Sequence, residues 1–217
     1  MNCINISKIN ISGIEAKEIP ALFQQMGTAY HKVTNVNWPA AFPYCPSVEF
    51  AIVHTADTIL LHYRVEEQSV RAVAAQDNDN VWEDSCAEFF ISPASDGLYY
   101  NFECNCTGKL LLGVGAGRNE RELASPLIMH QVDRWASLGI TPFNTCEQAT
   151  RWELALCIPY SAFFRHHVTS LDGCTVRGNF YKCGDKLPVP HFISWSPIQT
   201  PQPDFHCPAW FGELAFQ

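Results

Sequence analysis

The sequence predicts an all-β protein: an antiparallel β-sandwich of the jelly-roll or immunoglobulin-like kind with one short N-terminal helix. Two observations point there. From about residue 48 onward, eight or nine segments alternate apolar and polar residues with a period of two, the spacing that sends successive side chains to opposite faces of a strand. Turn-forming glycine, proline and aspartate separate these segments, while only one clear stretch has helical spacing.

The helix comes first. In EIPALFQQMG (18–27), Ile19, Leu22, Phe23 and Met26 recur at i, i+3, i+4 and i+7, and a glycine ends the run. NWPAAFPYCP follows, rich in proline and aromatic residues, and is expected to be a packed loop. VEFAIVHT (48–55) and TILLHYRVEE (58–67) then form a hairpin turning at 55–57. Ile59, Leu61, Tyr63 and Val65 share one face of the second strand, His62, Arg64 and Glu66 the other. SCAEFFIS (85–92) and LYYNFECNCTG (98–108) are joined by a PASDG turn, and KLLLGVGAG (109–117) returns. RWELALCIP (151–159) alternates again and sends Trp152 to the core. GNFYKCG (178–184), HFISWSP (191–197) and FGELAF (211–216) complete the set. Residues 1–217 form a single domain, with 1–47 as a helix-and-loop lead-in and 48–217 as the sandwich. Alternation also predicts that each sheet keeps one solvated face.

Composition excludes several classes. Of 217 residues, 47% are apolar and 17% charged, which suits a buried core and not a disordered chain. No apolar run approaches the ~18–20 residues of a membrane-spanning helix. The net charge of −8, with no basic cluster, argues against a nucleic-acid partner. The start lacks a basic region followed by an apolar one, so the expected location is cytoplasmic if the chain is complete, periplasmic or extracellular if a leader was removed. The ten cysteines show no CxxC and no paired zinc spacing, so they read as buried free thiols packing as small apolar side chains.

The strand 98–108 carries the most chemistry. Tyr100, Phe102, Cys104 and Cys106 fall on one face and Asn101, Glu103 and Asn105 on the other. The three polar positions make a row about 14 Å long at ~3.4 Å per residue. Amides and a carboxylate supply both donors and acceptors, as a polyhydroxylated ligand requires. Trp82 offers a flat apolar face, and Glu88 lies six residues on along the next strand.

VWEDSCAEFFISP, YYNFECNCTGKLLLG, WELALCIPYSAFF, and GNFYKCG with ISWSPIQTPQPDFHCPAWFGEL resemble, in order and spacing, the signatures of family 9 carbohydrate-binding modules. They are more closely similar to the stand-alone family 9-like proteins of gut bacteria. The resemblance implies a β-sandwich that holds a sugar, such as the reducing end of a glucan or xylan fragment, between two tryptophans. Trp82 matches the motif tryptophan, Glu88 the carboxylate after it, and Trp195 the second tryptophan. Where family members carry an arginine after the Asn-x-x-Gly turn, Lys109 is the nearest cation, and Asn179 is a further hydrogen-bonder. Some members bind structural calcium through acidic loops, for which Asp77, Asp79 and Asp84 are candidates.

The expected function is therefore non-catalytic binding of an oligosaccharide or polysaccharide end in support of carbohydrate catabolism, with no cofactor required and the oligomeric state open. Three alternatives stay open. Glu88 and Glu103 fit a glycoside hydrolase, which uses two carboxyl groups. Met129 and His130 keep a haem site in view. A protein-interaction sandwich would bury both tryptophans. GVGAGRNERE lacks the Lys-Ser/Thr of a phosphate loop and reads as a glycine-bearing turn.

Overall fold

A computed structural model describes residues 2–217. In chain order the elements are β1 (Cys3–Ile6), α1 (Ile19–Met26), β2 (His31–Lys32), β3 (Asn35–Val36), β4 (Ser47–His54), β5 (Thr58–Glu67), β6 (Val70–Ala72), β7 (Cys86–Ser92), β8 (Tyr99–Asn105) and β9 (Leu110–Gly115). Then come β10 (Glu122–Leu123), α2 (Pro126–Met129), β11 (Asp133–Ala136), β12 (Phe143–Cys146), β13 (Thr150–Pro159), β14 (Thr175–Cys183), β15 (Phe192–Ser194) and β16 (Gly212–Phe216). One sheet runs β1-β16-β14-β7-β8-β9-β10, with β15 added to β14 and β3 to β15. The second runs β11-β13-β5-β4-β2, and β12 with β6 forms a ribbon. Pairing is antiparallel throughout the strands predicted from the sequence; β1 departs from it, lying parallel to β16.

The sheets face each other across one core. Phe50, Tyr63, Leu61, Trp152 and Leu154 come from the second sheet, Phe89, Phe102, Phe180, Leu112 and Leu214 from the first. Phe50 stacks on Phe180 with ring centroids 3.6 Å apart, and the Tyr63 hydroxyl crosses the core to donate to the Glu88 carbonyl at 2.6 Å. Trp152 lies in this core as its strand pattern predicts. The predicted helix forms over Ile19–Met26, and Gly27 caps it with φ 64°, in the left-handed region that side chains disfavour.

Three expectations are corrected. Neither sheet keeps a fully solvated outer face. Helix α1 lays Ile19 and Phe23 on Ala51, Val53, Leu60, Ala155 and Cys157 and covers that part of the second sheet's outer side, while Arg64, Glu66, Arg151 and Glu153 keep the rest of it solvated, as alternation predicts. His62, on that side, is sealed and bonds Tyr30 Oη at 2.6 Å. On the first sheet, Trp38, Ile198, Phe205 and Phe211 from loops cover Phe90, Tyr99 and Tyr181. The lead-in 1–47 is also more than helix and loop, since β1, β2 and β3 extend both sheets. Strands of two to four residues are too short for alternation to register. Cysteines divide: Cys86, Cys104, Cys106, Cys157 and Cys183 are buried, whereas Cys3, Cys45, Cys146 and Cys174 are exposed. No helix is long and apolar enough to cross a membrane among the described residues.

Candidate functional site

The outer face of the first sheet is incompletely covered. Where the loops part, a cavity of about 390 Å³ opens over β7, β8, β9 and β14. Its floor is set by strand alternation. Glu88 on β7 stands directly across from Glu103 on β8, with Asn101 two positions along and Cys183 at the end of β14. Trp82, on a short 3-10 turn, supplies a half-buried indole at its wall. Leu111, Leu123, Phe192, Pro203 and Phe205 complete the apolar lining.

Arg121 organises the floor. Its Nε and Nη2 donate to Asn101 Oδ1 at 3.0 and 2.6 Å, its guanidinium lies 4.4 Å over the Tyr99 ring, and Asn101 Nδ2 donates to Glu103 Oε1 at 2.8 Å. Room for this side chain comes from the glycines of β9. A Cβ at Gly113 would stand 3.0 Å from Asn101 Oδ1, and one at Gly115 3.3 Å from the Arg121 side chain. Two loops meet at the rim, where Arg118 Nε pairs with Asp204 at 3.3 Å. The second loop is pinned from below: Tyr181 stacks on Phe205 at 4.2 Å and donates from its hydroxyl to the Phe205 carbonyl. His206 bonds Tyr99 Oη through Nδ1 at 2.9 Å.

The acids are perturbed by this setting. Burial pushes the Glu103 carboxyl up to about 7, opposed by the Asn101 hydrogen bond and the Arg121 charge. Burial, then the neighbouring Glu103 charge, holds Glu88 well above the usual carboxylate range. Burial lowers His206 to about 3, so its ring is neutral. Since the folded-state pKa of Glu103 exceeds its ordinary value of 4.5, its contribution to stability is full below pH 4.5 and is lost as pH rises through about 7. Glu103→Gln is therefore expected to flatten the fall in melting temperature between pH 4.5 and 7 and to melt higher than the wild type at pH 8. An unaltered pH profile would show that Glu103 ionises freely.

The cavity brings together Trp82, Glu88, Asn101 and Glu103. It does not include the other four predicted residues. Trp195 lies in the core between the sheets, 5% exposed, edge-on to Phe50 and Phe180. Its ring packs against Gly212, where a Cβ would also crowd the Asn2 carbonyl at 2.7 Å. It cannot flank a ligand. Asn105 Oδ1 instead accepts from the Thr107 and Lys109 amides and shapes the turn after β8, which places Lys109 outside the cavity. Asn179 Oδ1 accepts from the Ser196 amide, and its Nδ2 donates to the Ser196 carbonyl, tying the chain after β15 to β14. Met129 packs in the main core while His130 is exposed, so they do not form a haem ligand pair.

The acidic loop does not fit calcium. Asp84 accepts from the Val73 and Ala74 amides and Asn105 Nδ2, each at 2.9 Å, and pairs with Arg71. Asp77 accepts from Arg134 at 2.7 Å and from the Leu110 amide, and Asp79 from the Ala75 and Gln76 amides. A calcium site needs oxygens free of N–H donors, and here two of the three carboxylates already hold a guanidinium.

Reading by strand pattern misses Arg121, Arg118, Asp185, Phe205 and His206, all of which line the cavity. The signal for the arginines was GAGRNER, whose two cations follow a glycine-bearing strand. That segment does form the predicted turn. His206 and Phe205 carry no periodic signal, because they sit in an irregular loop.

A crystal structure of a protein from Bacteroides uniformis ATCC 8492, for which carbohydrate binding is a proposed role, is 50% identical over 99% of both chains with a TM-score of 0.96. A family 9 carbohydrate-binding module from Caldicellulosiruptor kristjanssonii in complex with glucose shares the fold: TM-score 0.54 at 10% identity, covering 100% of this chain and 96% of that one. Its complex with cellotriose gives 0.57 at 9%, covering 100% and 94%. No curated protein matches the chain. The sandwich agrees with the sequence signatures, and residues 17–216 match the model of carbohydrate-binding family 9, to which this chain belongs.

Proposed function

We propose that the cavity binds the terminal sugar of a glucan- or xylan-type oligosaccharide, without catalysis, in support of carbohydrate catabolism. The observation that carries this reading is one indole, Trp82, beside a floor of carboxyl, amide and guanidinium groups in a single cavity. An indole face suits the C–H side of a pyranose, and the floor suits its hydroxyls. Glu88 and Glu103 each have one carboxyl oxygen held, by the Cys183 thiol and by Asn101, which leaves the other for a ligand. At about 390 Å³ the cavity is near the small end of ligand sites, a size for the last ring or two of a chain. The glucose and cellotriose held by the Caldicellulosiruptor module support the ligand class.

A glycoside hydrolase is the second reading, because Glu88 and Glu103 face each other across adjacent strands at a spacing close to that of a retaining carboxyl pair. Trp82→Ala is expected to lower affinity for a cello- or xylo-oligosaccharide by at least about tenfold, from ~1.5–3 kcal/mol of lost aromatic contact. Because Trp82 also packs on the Phe90–Tyr181 cluster, its melting temperature falls by a few degrees without loss of folding. Calorimetric titration with a panel of such sugars checks this, and unchanged affinity would defeat the proposal. Turnover of aryl-glycosides that disappears in Glu88→Gln or Glu103→Gln would establish the hydrolase instead.

A further inference from the structure

We propose that Cys86, Cys183 and Glu88 form a site for one divalent cation of the zinc class, set into the cavity floor. Cys86 and Cys183 are directly opposite on β7 and β14, and Glu88 follows Cys86 by two residues, on the same face of β7. One ligand atom from each, Sγ, Sγ and a carboxyl oxygen, lies within 4.8 Å of the other two, and Cys183 Sγ is 2.9 Å from Glu88 Oε1. Tetrahedral zinc with Zn–S near 2.3 Å and Zn–O near 2.1 Å spaces its ligand atoms by about 3.5–3.8 Å, so small side-chain shifts close the shell. Two sulfurs with one oxygen favour zinc or cobalt over calcium or magnesium, which take oxygen shells.

A second observation points to a cation. All three side chains are at most 2% exposed, and Glu88 pairs with no lysine, arginine or histidine among the described residues. The nearest buried ammonium, Lys182, is committed to Glu67, His191 and the Cys183 carbonyl. Glu103 adds a further acid across the strand, and Asp185 lines the mouth of the cavity. Binding would release the protons of the two thiols and the carboxyl to solvent, and the dication would neutralise the thiolates and carboxylate left in the floor. Cys183 and Glu88 line the cavity, so the fourth position faces it, open to water. The proposal needs these three side chains and no saccharide, so it stands or falls apart from the sugar reading.

The test uses the full chain, reduced, with zinc and with cobalt as its spectroscopic stand-in. A variant with Cys3, Cys45, Cys146 and Cys174 all changed to serine removes the exposed thiols and is expected to bind one equivalent of zinc in competition with a chromophoric chelator. Its cobalt form is expected to show thiolate-to-metal charge transfer and tetrahedral d–d bands. Adding Cys86→Ser or Cys183→Ser is expected to weaken binding by more than the ~10–100-fold typical of outer-shell changes. Binding that vanishes with the exposed cysteines, a cobalt form without thiolate charge transfer, or a Cys86–Cys183 disulfide persisting under reductant would each overturn it. Should a serine variant fail to fold, the cobalt spectrum of the four-serine variant decides.

Discussion

Lys182→Met is expected to lower the unfolding free energy by about 3–5 kcal/mol, the cost of leaving a buried ion without its partner. Lys182 on β14 and Glu67 at the end of β5 are both fully buried side chains, one from each sheet, with Nζ 2.8 Å from Oε2. The other Glu67 oxygen accepts the Trp152 indole N–H at 2.7 Å, and Lys182 also reaches His191 Nε2 and the Cys183 carbonyl, each at 2.8 Å. Burial, followed by the Lys182 charge, pushes His191 down to about 2, so the imidazole is neutral and accepts from the ammonium. Methionine matches the apolar stem but strands the Glu67 carboxylate between the sheets. Adding Glu67→Gln removes that charge and should recover part of the loss, which a double-mutant cycle in urea measures. A change below about 1 kcal/mol for Lys182→Met would mean that water reaches the pair.

Arg121→Ala is expected to cost about 10–100-fold in sugar affinity, from the ~1.5–3 kcal/mol of a hydrogen bond to a charged group. The residue acts through Asn101 and, by way of it, Glu103. Without the guanidinium, Asn101 is free to turn, and the carbonyls of Tyr99, Gly113 and Gly117 lose a donor. Arg121→Lys should not rescue, because an ammonium cannot span Asn101 with two nitrogens while lying flat on Tyr99. Calorimetry on the wild type and both variants, with circular dichroism to establish folding, reads the effect. Wild-type affinity in Arg121→Ala would remove Arg121 from the site.

Strand alternation carried much of the fold. It placed Phe102 and Cys104 inward and Asn101 and Glu103 outward, and it sent Trp152 to the core. Each of these is a local property, because the pleat sets a side chain's face from its neighbours alone. Trp195 shows the limit. One residue past β15, its pattern leaves open whether it faces a ligand or a glycine, and Gly212 of another strand decides that it packs inward. Asn105 and Asn179 show it again: both point outward, and both are taken up by nearby backbone.

By itself the sequence determined the sandwich, the helix over Ile19–Met26, the family, and the four residues Trp82, Glu88, Asn101 and Glu103 that the cavity contains. Tertiary structure alone decided that loops and α1 roof part of each outer face and that Arg121, Asp185, Phe205 and His206 join the cavity. It also decided that Cys86 meets Cys183 across nearly a hundred residues of chain. The reason is physical: alternation states which way a side chain points, whereas a site depends on what the rest of the chain brings opposite to it.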